Sequence, residues 1–108
     1  MNLTSEIFGN VIVVHTPEEL GFDHVAGFEA AAAALERNRV VLDLDHTELL
    51  DSAGLTAILD LQEKLRDVGG DVKLAVSGAV NRKVLEITRL DQQLEVFDNV
   101  LDAVKSYQ

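Results

Sequence analysis

Two short apolar runs, at residues 40–44 and 72–76, flank a segment whose apolar residues recur with helical spacing. Both runs are rich in Val and Leu, which is typical of strands buried on both faces of a sheet. The segment at 55–68 has one apolar and one charged face, and Gly69-Gly70 follows it as a helix stop. Because two strands joined through a helix need a crossover connection, this order predicts parallel strands in an α/β sheet.

The rest of the chain adds elements on both sides of this unit. Residues 6–8 and 11–15 flank Gly9-Asn10, a pair suited to the tight turn of an antiparallel hairpin. The other predicted elements are a helix at 23–38 with Asp23 as N-cap, a helix at 77–90 with Ser77 as N-cap, a strand at 94–97 and a helix at 99–107. The prediction is one α/β domain over residues 1–108, with a mixed β-sheet of about four to five strands and about four helices.

Charge and cysteine content exclude several classes of function. The 108 residues include no cysteine, which excludes disulfides, thiolate metal sites and thiol catalysis. The 19 acidic and 9 basic side chains give a formal net charge of -10, and such a field repels nucleic acid and anionic lipid. The sequence shows neither a basic leader nor a long apolar run, so we expect a cytoplasmic protein with no direct membrane insertion. The three histidines lack metal-ligand spacing, so no metal site and no cofactor are expected.

The first candidate site is the pentapeptide Asp51, Ser52, Ala53, Gly54 and Leu55, where a loop leads into a helix. Gly54 lets another segment of backbone approach closely. A helix N-terminus also favours negative charge, so a phosphate on Ser52 would be tolerated there. Serine is equally a common N-cap, and Ser52 is open to both interpretations.

The second candidate site is the D-L-D-H-T segment at 43–47, which follows an apolar strand directly. It is similar to the motif of haloacid-dehalogenase-type phosphatases, in which the equivalents of Asp43 and Asp45 would attack phosphorus and handle the proton with Mg²⁺. That chemistry also needs an acidic pair at the end of a later strand, which this sequence lacks. An acidic turn at the end of a strand is the simpler interpretation.

From residue 40 onward the chain resembles a STAS domain, and more narrowly the bacterial anti-sigma-factor antagonists. The resemblance rests on the strand ending in Asp43-Leu44, the D-S-A-G-L turn at 51–55, and a late helix that ends in L-E-I-T-R-L-D. Before residue 40 the match is weaker, and Asp23 is the nearest equivalent of a family element that contributes to the partner surface.

The resemblance implies a binding module without catalysis of its own. Its partner would be an anti-sigma factor that is also a serine kinase, and the phosphate acceptor would be Ser52. Residues 51–55 and Asp23 would form the docking surface, docking would release a sigma factor, and a serine phosphatase would reset the switch. A nonphosphorylated scaffold in a signalling or transporter assembly is the alternative that the same fold allows.

Overall fold

The computed structural model describes residues 3–108, and within them the chain forms seven strands and four α-helices. In chain order these are β1 Thr4–Phe8, β2 Val11–His15, β3 Glu19–Leu20, α1 Val25–Ala33, β4 Arg39–Asp43, β5 Leu49–Leu50, α2 Ser52–Asp67, β6 Asp71–Ala75, α3 Ala79–Ile87, β7 Glu95–Phe97 and α4 Val100–Lys105. None of the helices within residues 3–108 is both long and apolar enough to cross a bilayer.

Five of the strands form one mixed sheet in the order β1-β2-β4-β6-β7. β1 and β2 are antiparallel across the turn at Gly9, whose φ of 63° is one that glycine adopts without steric cost. The remaining pairs are parallel, with Val14 opposite Leu42 and Leu42 opposite Leu74. The predicted α/β class, mixed sheet and four helices are therefore confirmed.

Helices cover the two faces of this sheet unequally. The larger core lies under α1, α2 and α3 and includes Phe28, Ile58 and Leu85, which are all almost fully buried. The smaller core lies under α4 and includes Val13 and Val104. Because β4 and β6 are covered on both faces, they need the continuous apolar runs from which they were predicted.

The first helix is shorter than predicted. It begins at Val25 after His24, so the assignment of Asp23 as its N-cap was wrong. It ends at Ala33, five residues before the predicted end, and Leu35 N–H then bonds the Ala32 carbonyl in a tighter turn. Residues 34–38 instead form the connection that leads back to β4.

The third helix begins later than predicted, and Ser77 does not cap it. Gly78 occupies the N-cap position, while the Ser77 N–H donates to Asp45 Oδ1 at 2.7 Å. The helix ends at Ile87, and Arg89 then adopts a left-handed conformation with φ of 60° before a short 3-10 turn. The start of α3 therefore depends on the contact between Ser77 and Asp45, which are 32 residues apart in the sequence.

A second, two-stranded parallel sheet was not predicted. It pairs β3 with β5, with Glu19 opposite Leu49 and Leu20 opposite Leu50. Pairs of two residues are too short to leave a periodic signal. This small sheet holds the loop before α1 beside the loop before α2, which brings the first candidate site together.

Candidate functional site

Ser52 is the first residue of α2, and its side chain is exposed. The residue before it, Asp51, has extended backbone and accepts a hydrogen bond at Oδ1 from the Gly54 N–H at 3.0 Å. Asp51 is therefore the N-cap of α2, and the interpretation of Ser52 as the capping residue was wrong. The helix starts without using the Ser52 hydroxyl, which leaves that hydroxyl at the surface.

Asp51 also joins the two loops of the site. Its second carboxylate oxygen, Oδ2, accepts from the Phe22 N–H at 3.0 Å. The hydrogen bonds from Gly54 and then Phe22 lower the pKa of Asp51, because both stabilise the carboxylate form. Ser52 thus lies beside a group that is fully ionised at neutral pH.

Gly54 allows the close approach that the sequence predicted. A Cβ at this position would overlap the carbonyl oxygen of Leu20 and would also press on the Leu50 side chain. These two residues belong to the small β3–β5 sheet, so the first turn of α2 packs directly against it. The glycine therefore allows the Ser52 turn to pack closely against the segment that leads into α1.

The remaining residues of the predicted site divide into exposed and buried groups. Asp23 is exposed and lies in the same turn as Phe22, beside the Ser52 turn. Ala53 is half-buried, whereas Leu55 is only 7% exposed and belongs to the larger core. Leu55 therefore positions the turn and offers little surface of its own.

Sequence reasoning did not identify Phe22 as part of this site. Phe22 is 81% exposed, the highest value among the large hydrophobic residues of 3–108, while its backbone N–H is hydrogen-bonded to Asp51. Because Phe22 is held beside the candidate site, its exposed side chain offers apolar contact area to a partner that docks there. The only signal in the sequence was an aromatic residue between Gly21 and Asp23, ahead of a helix.

The second candidate site has structural partners for its polar groups. Asp43 is buried, with His15 Nδ1 2.8 Å from Oδ2 and the Asp45 N–H donating to Oδ1 at 3.0 Å. Asp45 accepts from Ser77, and the Thr47 hydroxyl donates to the Pro17 carbonyl. No group of three or more His, Asp and Glu within residues 3–108 is arranged to hold a metal ion. The geometry at Asp43 and Asp45 favours the interpretation of residues 43–47 as an acidic turn whose side chains hydrogen-bond to neighbouring strands and loops.

Comparison with known proteins gives the family context of this geometry. The family model described as STAS domain matches residues 2–103. A Thermotoga neapolitana protein named as a candidate anti-sigma factor antagonist is 30% identical over 71 residues, which are 66% of this chain. The match spans 63% of that curated relative's own length.

Solved structures share the fold over nearly the whole chain. An anti-sigma factor antagonist from Mycobacterium paratuberculosis superposes with a TM-score of 0.86 at 25% identity, covering 97% of this chain and 92% of that one. The Bacillus cell fate determinant SpoIIAA in its phosphorylated form gives a TM-score of 0.71 at 17% identity, over 99% of this chain and 100% of that one. The second likeness is one of fold alone.

Proposed function

Because this chain belongs to the STAS domain family, we propose that it is an anti-sigma-factor antagonist controlled by phosphorylation of Ser52. In the unmodified state it docks on an anti-sigma factor that is also a serine kinase, and docking releases a sigma factor. The kinase then transfers the γ-phosphoryl group of ATP to Ser52 Oγ. The new O–P bond replaces the bond to ADP, and the hydroxyl proton passes to a base of the kinase. A metal-dependent serine phosphatase restores the free hydroxyl, and the chain itself catalyses no step.

The observation that carries this proposal is the free, exposed hydroxyl of Ser52 at the first residue of a 16-residue helix. Since Asp51 caps the helix, a phosphate on Ser52 displaces no hydrogen bond that the fold needs. The positive end of the helix dipole favours the added charge of about -1.5 to -2. Phosphorylation is therefore expected to leave the fold intact.

The same charge disfavours a complex in which this turn is covered. The phosphate would lie beside the ionised Asp51 carboxylate, and acidic Asp23 lies on the neighbouring loop. Burying a further charge without a basic partner costs a few kcal/mol, and each 1.4 kcal/mol lowers affinity about tenfold. We expect phosphorylation to weaken docking by about a hundredfold or more.

The exposed part of the docking surface consists of Ser52, Asp23 and the Phe22 ring. Gly54 and Leu55 support it from beneath through Leu20 and the larger core. In this arrangement the two loops tied by Asp51 present one surface to the partner.

Mass spectrometry after incubation with the anti-sigma kinase and ATP tests the acceptor. A single phosphate on the peptide that contains Ser52 is expected, and none on the Ser52→Ala variant. Thr56 offers a matched control, because it carries an exposed hydroxyl one helical turn later, and Thr56→Ala is expected to be modified like the natural protein. Phosphate on another residue would contradict the assignment.

Binding of two Ser52 variants to the same kinase tests the switch. Ser52→Ala is expected to remain bound in the presence of ATP and to change stability by less than about 0.5 kcal/mol, because the helix does not use this hydroxyl as a cap. Ser52→Asp is expected to fold but to bind weakly. If the chemically phosphorylated protein bound as tightly as the unmodified one, charge at this turn could not be the switch.

A further inference from the structure

A continuous groove runs between α1 and α2 and begins at Ser52. It consists of two adjoining cavities of about 450 Å³ and 490 Å³, which share Glu29, Ala57 and Asp60 as lining residues. The first cavity opens beside Ser52, and the second reaches Val68 at the far end of α2. The groove therefore follows α2 over its whole length of about 24 Å, at 1.5 Å per residue.

Small side chains keep this groove open. Ala26, Ala32 and Ala33 line it from α1, and Ala53 and Ala57 line it from α2. The distance between two packed helices depends on the side chains at their contact, and alanine side chains fill little of the space between them. The alanine-rich sequence of α1 contributes only Phe28 and Ala32 to the buried core, and thus leaves the groove open to the side chains of a partner.

The half of the groove near Ser52 is acidic at its rim. Glu29 and Asp60 are exposed and stand on opposite walls, and neither forms an ion pair within residues 3–108. The basic side chains of the lining, Arg37 and Lys64, belong to the second cavity alone. A segment that lies over the first cavity therefore meets two unpaired carboxylates and no base.

We infer that this groove receives a basic amphipathic helix of the anti-sigma factor. The helix places apolar side chains between α1 and α2 and Lys or Arg side chains over Glu29 and Asp60. This inference rests on the proposed function, because the groove starts at the phosphorylated turn. The end of this helix that lies against Ser52 carries no Lys or Arg, so a phosphate on Ser52 is buried there without a basic partner and weakens binding of the helix.

Filling the groove tests the inference, with affinity for the purified anti-sigma kinase as the readout. Ala26→Leu fills the first cavity and Ala33→Leu the second, and each is expected to lower affinity at least about tenfold. Ala34→Leu is the matched control, because Ala34 is exposed, follows directly and does not line the groove. Leu and Ala have similar helix propensities, so all three variants are expected to fold, which circular dichroism checks.

Ala33→Leu is the decisive variant, since it lies in the cavity that does not contain Ser52. A partner that touches only the phosphorylated turn would not sense it. If Ala33→Leu bound within about twofold of Ala34→Leu, the inference would be overturned, whatever the effect of Ala26→Leu.

Charge reversal supplies the second arm. Glu29→Lys and Asp60→Lys are expected to lower affinity, most strongly at low salt, whereas Glu63→Lys on the same helix but outside the groove is expected to have little effect. Equal losses of affinity at all three positions would also overturn the inference.

The failure of this inference and the failure of the proposed function are distinguishable. If the natural protein did not bind the kinase at all, the proposed function would fail. If it bound in a Ser52-dependent manner and the groove variants bound equally well, only this inference would fail.

Discussion

At the scale of single residues, neighbouring residues of the Ser52 turn have separate structural roles. Asp51 caps the helix and binds the Phe22 loop, Gly54 permits the close approach of Leu20, and Ser52 is left without a structural duty. A serine that caps its own helix would have its hydroxyl engaged with a backbone N–H, whereas the Ser52 hydroxyl is not used in this way. This separation of roles supports the proposal that Ser52 is modified reversibly, because its hydroxyl is exposed and does not cap the helix.

Replacement of Gly54 by alanine tests how tightly the turn is packed. The new Cβ would overlap the Leu20 carbonyl oxygen, and backbone on this side cannot move without shifting the β3–β5 sheet. We expect Gly54→Ala to lower the free energy of unfolding by about 1–3 kcal/mol. Urea denaturation measures this loss.

The control for this variant is Gly78→Ala, because a Cβ at Gly78 meets nothing within 4 Å. It is expected to cost less than Gly54→Ala. Equal stability losses in the two variants would show that close packing at Gly54 is not the cause.

At the scale of the elements, one imidazole joins three strands. His15 on β2 lies 2.8 Å from Glu6 on β1 through Nε2 and 2.8 Å from Asp43 on β4 through Nδ1. The hydrogen bond with Glu6 raises the pKa of His15 most, the carboxylate of Asp43 adds to this, and partial burial opposes both. The protonated ring thus ties the exposed edge strand β1 to the centre of the sheet.

This raised pKa predicts a decline in stability at alkaline pH. A group whose pKa is higher in the folded state contributes its full stabilisation below its unfolded value, here about 6.5, and loses it as pH rises through the folded pKa. We therefore expect the free energy of unfolding to fall as pH rises above 6.5. Urea titrations at a series of pH values measure this dependence.

His15→Gln should remove most of this decline, because glutamine does not titrate. His46→Gln is the control, because His46 is exposed and has no carboxylate partner among the ion pairs of residues 3–108. A wild-type stability that stayed constant between pH 6 and 9, the range about the ordinary histidine pKa, would contradict the assignment.

The buried elements were predictable from the sequence, whereas the polar contacts that anchor them were not. The buried strands and α2 were predictable, because burial on both faces or on one stripe leaves a periodic record in the sequence. The anchoring of α4 left none: Lys73 Nζ donates to Ser106 Oγ at 2.8 Å, and the Tyr107 hydroxyl donates to the Val40 carbonyl 67 residues away. Such polar contacts depend on topology, and so did the shorter ends of α1 and the pairing of β3 with β5.

At the scale of the whole molecule, the two segments that carry the site are acidic and lack basic residues. Residues 16–36 follow β2 and include α1, and residues 44–63 follow β4 and include most of α2; both segments contain acidic side chains and no Lys or Arg. Arg82 at the start of α3 is paired with Asp98. Together with the net charge of -10, this gives the surface around Ser52 a negative field, which would attract the basic partner proposed above from a distance.

That field predicts which rate constant phosphorylation changes. The added phosphate strengthens the long-range attraction to a basic surface, so the association rate constant is not expected to fall. The cost arises only when the charge is desolvated in the bound complex, so the dissociation rate constant is expected to rise by about a hundredfold or more, which matches the expected loss of affinity. Stopped-flow measurements on the unmodified and Ser52-phosphorylated protein, at several salt concentrations, separate the association rate constant from the dissociation rate constant.

The association rate constant should fall with added salt for both forms of the protein, since the Debye length is about 10 Å at 0.1 M and about 3 Å at 1 M. A phosphorylated protein that associated much more slowly but dissociated at the unmodified rate would show that the phosphate blocks the encounter itself, and the switch would then have to be steric.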